Sequence, residues 1–230
     1  MPKRISGVSA RLLECAKSEF LEKGFQDASI REIAKKADTS SRAVYTRFPN
    51  KEGLFDAIVG PATEKLIALY RDYGDTYWAE YQTTLEVPSF SSDPTEIYSK
   101  MMDHIFDHAD EFRLAIRCLE GTRYKAMVEA LTEINCRHLS KFFAMRGAEN
   151  QEITLKILHL LTHTFYSGIF EPLQHGMNRE EAQFYVKKLC DFFVSGLILP
   201  MQQLVVALSA CLFFIAVIWA MVLILKTPKK

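Results

Sequence analysis

From Val8 onward apolar residues return at every third or fourth position and strand-like alternation is nearly absent, so the pattern predicts an all-helical protein. In VSARLLECAKSEFLEKGF, Val8, Leu12, Cys15, Ala16 and Phe20 fall on one face, and Gly24 offers a left-handed cap that ends the helix near Lys23. Ser29 with Glu32 forms a capping box ahead of a helix of barely two turns, whose Ile30, Ile33 and Ala34 point one way and Arg31, Lys35 and Lys36 the other. Ala37, Asp38 and Thr39 make a tight turn. Ser40 then caps a second short helix, Ser41 to Phe48, with Val44 and Phe48 directed inward. Two short helices joined in this way make a helix-turn-helix.

Beyond it, Lys51 to Ala79 reads as a connecting helix interrupted at Gly60-Pro61, where proline removes a backbone donor and kinks or restarts a helix. A static kink and a regulatory hinge are both open readings. The polar run TTLEVPSFSSD closes this region, and DPTE, Asp93 to Glu96, starts the next helix. Two apolar helices follow later, Glu152 to Leu173 and Arg179 to Leu199, with Asn178 and Glu181 able to cap the second. Leu158, Leu161, Phe165 and Ile169 stripe the first; Tyr185, Leu189, Phe192, Phe193 and Leu197 stripe the second, beside the small Ser195 and Gly196. Such a pair from each of two chains makes a four-helix interface. Finally, Leu204 to Leu225 holds 22 uncharged residues, about 33 Å of helix. It reads as a transmembrane helix.

Composition changes this picture only locally. The 230 residues carry 28 basic and 28 acidic side chains, so no global charge points to nucleic acid. Residues 1 to 51, however, hold eleven Lys or Arg against six acids. That excess lies where DNA phosphates would sit. Ser41, Arg42 and Thr46 project from the half of the second short helix that enters a major groove, while Tyr45, Arg47 and Lys51 are placed for backbone phosphates. Ser29, Arg31 and Ser40 complete the candidate DNA-binding set. Five scattered cysteines form no C-x-x-C pair, which fits a reducing compartment, and the basic N-terminus lacks the apolar core of a secretory signal.

The stretch from Ser9 to Val59, carrying SIREIAKKAD, SSRAVYTRF and PNKEGLF, resembles the DNA-binding domain of the TetR family of bacterial regulators. It departs from that family in the turn, where Asp38 and Thr39 stand in place of Gly and an aliphatic residue; Asp tolerates a left-handed backbone. The resemblance implies a homodimer, a helical sensor domain after the DNA-binding domain, and repression of a palindromic double-stranded DNA operator released by a ligand. The expected organisation is a helix-turn-helix domain over 5–60, a ligand-sensing and dimerisation domain over 61–199, and a transmembrane helix over 204–225. The expected localisation is the bacterial cytoplasmic membrane, single-pass, with the DNA heads in the cytoplasm. Inner-membrane lipid and an unknown small, amphipathic or lipophilic inducer are the further expected partners.

Flexible Met and flat aromatic side chains suit an adaptable apolar pocket, although the same stripe also makes plain core. The candidate ligand-pocket residues are Met101, Met102, His104, Ile105, His108, Tyr124, Met127 and His163. His104 with His108 and His159 with His163 have the i, i+4 spacing that a metal can bridge, so a metal-responsive regulator is an alternative; the neighbouring acids point instead to solvated histidines. No metal site and no cofactor are assigned. A membrane-bound adaptor using the helix-turn-helix as a protein-interaction surface is a second alternative, opposed by the retained phosphate-facing cations. No nucleophile elbow, phosphate loop or zinc-helix motif points to an enzyme.

Overall fold

The computed structural model describes residues 7–84, 95–118, 122–145 and 151–193. The chain divides into two compact units, Met1–Val186 and Lys187–Lys230. Every regular element among the described residues of the first unit is a helix: α1 Gly7–Asp27, α2 Ile30–Lys36, α3 Ser41–Arg47, α4 Lys51–Thr84, α5 Thr95–Asp107, α6 Ala109–Arg117, α7 Thr122–Met145, α8 Gln151–Ile169, α9 Glu171–Gln174 and α10 over 179–186. In the second unit residues 187–193 are also helical, with Lys188 paired to Asp191 at 3.5 Å.

Local chemistry set most boundaries where the pattern placed them. Gly24 adopts φ 75° and ψ 174°, so α1 breaks there and resumes for one short turn to Asp27. The Ser29 and Ser40 hydroxyls accept from the backbone N–H of Glu32 and Ala43 at 3.5 and 3.2 Å, capping α2 and α3. Between them Asp38 takes φ 56°, the left-handed conformation that its short side chain tolerates. Asn178 and Glu181 cap α10 reciprocally: Asn178 Oδ1 accepts from Glu181 N–H at 3.0 Å, and Glu181 Oε2 accepts from Asn178 N–H at 2.9 Å.

Three boundaries differ from the pattern. α4 neither stops nor restarts at Gly60-Pro61 but runs through both residues. The Thr63 hydroxyl donates to the carbonyls of Val59 and Gly60 at 3.1 and 3.0 Å, and His104 of α5 bonds the Ala62 carbonyl at 2.9 Å, so the turn around the proline is held from inside and outside. The helix expected over Glu152 to Leu173 instead breaks at Phe170, because Pro172 opens the separate α9 and cannot continue the α8 ladder. Phe48 lies just beyond α3, half-buried, rather than inside it.

The single-pass membrane expectation is corrected. Among the described residues no helix is long and apolar enough to cross a membrane. The described helices are amphipathic: even the apolar α8 carries Lys156, His159, Thr162, His163 and Thr164. The stretch 204–225 that prompted the expectation lies outside the described residues, as do Asp93, Leu197, Ser195 and Gly196.

One core fills the N-terminal helices. Phe20, Phe25 and Phe55 form a triangle with ring centroids 5.4 to 5.7 Å apart, around which Leu12, Ile33, Val44, Leu54 and Val59 close. Leu114 and Ala115 of α6, and Cys118 just after it, belong to this same core. Burying Leu114 alone is worth about 1.5–3 kcal/mol, so α6 is fastened to the helix-turn-helix by apolar packing. Two ion pairs reinforce the junction: Lys17 with Glu111 at 3.4 Å, and Arg123 with Asp56 through Nη2 at 2.6 Å and Nε at 2.7 Å. A second core gathers Tyr70 of α4, Tyr98 of α5, and Phe165 and Tyr166 of α8, with centroids 5.0 to 6.4 Å apart.

Candidate nucleic-acid interface

Only one side of α3 is committed to the fold. Val44 is buried and anchors it, which leaves Arg42, Tyr45 and Thr46 sharing an exposed face at i, i+3 and i+4. Tyr45 is 52% exposed although it is a large aromatic residue. Thr46 donates its hydroxyl to the Arg42 carbonyl at 2.9 Å, and Arg47 lies back along the helix with Nη1 on the Ala43 carbonyl at 3.2 Å. α3 contains no acidic residue. It therefore presents two guanidinium groups, a phenol and hydroxyls with no carboxylate on the same helix to compete, a donor set matched to phosphate oxygens and to the edge of guanine.

The other members of the set have mixed roles. Arg31 on α2 and Ser40 are exposed, whereas Ser29 and Ser41 are half-buried. The Ser29 and Ser40 hydroxyl oxygens already serve as caps, which orients the two helices and leaves their protons free to turn outward. Lys51 is drawn inward: its ammonium donates to the Gln26 carbonyl at 2.9 Å and lies 4.9 Å from the centre of the Phe25 ring. Asn50 caps α4 beside it, Oδ1 accepting from Gly53 N–H at 2.7 Å.

Glu19 is the residue that the sequence reading missed. It has no exposed surface, yet it is charged, and it accepts from Lys23 at 2.7 Å and from Lys36 at 2.6 Å. Hydrogen bonds from Lys23 and then Lys36 hold its carboxyl down at about 2. Through Lys36 it ties the end of α2 to α1. The signal was present in the spacing: Leu12, Cys15, Ala16 and Glu19 lie on one stripe, so an acid there faces the core and needs a cation from a neighbouring helix.

The candidate pocket residues separate into groups. Met101, Met102 and Ile105 on α5, Phe112 on α6 and Met127 on α7 are each buried. Half-buried Tyr124 donates to the Ser167 carbonyl at 3.3 Å and packs on Phe170. His104 and His108 lie 4.7 Å apart by ring centroid at the α5–α6 junction, with His104 engaged on Ala62. His163 is exposed on α8 and is not brought to the others. Among the described residues no three His, Cys, Asp or Glu side chains gather as a metal site. A polar thread not anticipated from the sequence crosses the second core: Tyr70 donates to Asn135 at 3.0 Å and Asn135 to Thr162 at 3.4 Å. Beside it the Tyr166 hydroxyl is buried with no hydrogen-bond partner among the described residues. Burial pushes the Tyr70 phenol up to about 12 and the Tyr166 phenol well above its ordinary value.

Residues 12–58 match the family described as bacterial regulatory proteins, tetR family. This segment is similar to the helix-turn-helix domain of that family. It is 41% identical over 58 residues to an uncharacterised HTH-type transcriptional regulator, YvdT, of Bacillus subtilis (strain 168), an alignment covering 25% of this chain and 30% of that protein. The match therefore spans less than a third of the relative's length. The wider fold is similar to that of a transcriptional regulator (TerR/AcrR family) from Aquifex aeolicus VF5, at 20% identity and a TM-score of 0.58, covering 81% of this chain and 99% of that one. It is also similar to NalD, the secondary repressor of the MexAB-OprM multidrug efflux pump in Pseudomonas aeruginosa, at 18% identity and a TM-score of 0.53, covering 80% and 94%. At these identities the likeness is one of fold. The expected membrane localisation is corrected on this ground: the match is to bacterial regulatory proteins, and among the described residues no helix is long and apolar enough to cross a membrane; lipid is likewise unsupported as a partner.

Proposed function

We propose that this chain is a TetR-like transcriptional regulator that binds a palindromic operator as a homodimer and is released by a small molecule. The observation that carries the reading is the acid-free face of α3, with Arg42, Tyr45 and Thr46 exposed on a helix held by two serine caps, within a segment that matches the family. Domain 5–60 then supplies the DNA head and 61–199 the sensor. Dimerisation is supported by α8, where Ile157 and Leu160, three residues apart, are 52% and 66% exposed. Exposed apolar side chains of this size on one helix face call for a second apolar surface. Release by a largely apolar ligand is supported by the buried Met101, Met102 and Ile105 of α5 and the buried Met127 of α7, flexible side chains that repack at low cost.

The test is genome-wide binding-site mapping of the full-length protein, followed by anisotropy titration of the recovered duplex at several salt concentrations. The expected result is a two-fold symmetric site whose affinity falls steeply with salt and drops at least about tenfold in Arg42→Ala. Equal affinity for operator and scrambled duplex, or no salt dependence, overturns the reading.

A further inference from the structure

Away from both α3 and the buried methionines of α5 and α7, a cleft of about 420 Å³ opens between the end of α1 and the last turn of α6. Its floor is apolar and buried: Phe20, Phe25, Leu114 and Cys118. Its rim is cationic and amide-bearing, formed by Lys23, Arg113, Arg117 and Gln26, and no carboxylate lines it among the described residues. Two of the cations are already engaged, Lys23 by Glu19 at 2.7 Å and Arg113 by Asp110 at 3.0 Å. Arg117 is exposed and makes no ion pair among the described residues. The Gln26 main-chain oxygen accepts from the Lys51 ammonium at 2.9 Å.

We propose that this cleft binds a small organic anion, a carboxylate on an aliphatic or aromatic body. An apolar floor with a few convergent polar groups is the usual build of a ligand site, and this volume falls in the range such sites occupy. The floor accepts the hydrocarbon, and Arg117 supplies a planar fork with two parallel donors for the carboxylate. Cys118 acts as part of the floor rather than as a nucleophile: it is 6% exposed, and burial pushes its thiol up, keeping it protonated.

Position gives the site a regulatory meaning. One wall, Phe20 to Gln26, belongs to the core that seats α2 and α3; the other, Arg113 to Cys118, belongs to the end of α6 and the residue just after it. Phe25 touches both the cleft and Lys51, the first residue of α4. An occupant therefore bridges the DNA head and the helix that follows it into the sensor, and by filling the gap it biases how the two are seated. This site is separate from the buried methionines of α5 and α7, so binding here does not require release there.

The experiment is isothermal titration of the full chain with octanoate and benzoate, and with the neutral octanamide and benzamide as matched probes. Expected is binding of at least one anion with a Kd of about 1 mM or tighter, its amide being roughly tenfold weaker. Arg117→Gln lowers the anion's affinity about tenfold and leaves the amide's unchanged, with an unaltered melting temperature because the side chain is exposed. Arg113→Gln gives a smaller loss of the same kind. Met102→Leu, outside the cleft, leaves the anion's affinity unchanged. No binding by either anion at about 10 mM overturns the proposal. So does an affinity indifferent to Arg117, or one that follows Met102. DNA is absent from every readout, so failure of the operator experiment and failure of this one are separate outcomes.

Discussion

Glu19 of α1 and Lys36 of α2 meet at 2.6 Å, the carboxylate without exposed surface and the ammonium 44% exposed. This pair, with Lys23, fixes how α2 leans on α1 and hence where α3 begins. Glu19→Gln should destabilise the protein by about 1–2 kcal/mol, since hydrogen bonds between charged partners become weaker neutral ones. The pH dependence has a definite sign. The folded carboxyl is depressed to about 2 from 4.5, so its contribution is complete above about 4.5 and is lost as pH falls through about 2. Thermal melts of wild type and Glu19→Gln from neutral to acid pH should converge in that window; a constant gap would count against the assignment.

Gly74 of α4 lies directly beneath the His138 imidazole of α7, with no room for a Cβ between them. Gly74→Ala should cost about 1–3 kcal/mol even though alanine is the better helix former, because overpacking outweighs propensity. Removing the ring should remove the penalty, so in His138→Ala the same substitution becomes neutral or stabilising. Denaturant midpoints of the four proteins in this cycle decide it. Burial also lowers the His138 pKa from 6.5, with the Asp75 charge opposing. A base depressed in the folded state stabilises above its unfolded value, so this contribution erodes as pH drops below about 6.5.

Arg42 and Arg47 should behave differently on DNA. Arg42 shares its exposed face with Tyr45 and Thr46, whereas Arg47 is folded back on Ala43. Arg42→Ala should lower affinity and relax preference at one base pair, by about 1–3 kcal/mol. Arg47→Ala should weaken all duplexes alike and reduce the slope of log K against log salt by about one. Matching slopes and specificity ratios in the two variants would refute this division of labour.

Leu160 at 66% exposure and Ile157 at 52% should mark the dimer face. Leu160→Lys or Ile157→Lys is expected to shift sedimentation toward monomer with little change in far-ultraviolet circular dichroism, because both side chains are largely exposed. Operator affinity should fall with it, since two linked heads bind more tightly than one.

The amino-acid order by itself determined the local elements. Serine caps before α2 and α3, the left-handed Asp38 turn and the Asn178–Glu181 box all depend on groups within a few residues of one another, and each appears where the pattern put it. The cationic helix-turn-helix was legible for the same reason. Tertiary structure decided what depends on neighbours distant in the chain: Lys51 turned inward to Gln26, Glu19 buried between two lysines, α6 sharing the core of the DNA head, and a cleft between α1 and α6. Periodicity shows that a face is apolar or charged, but not which other face it meets. That is settled by packing and desolvation summed over the whole assembly of helices, where a charge either finds its counter-ion or stays in water.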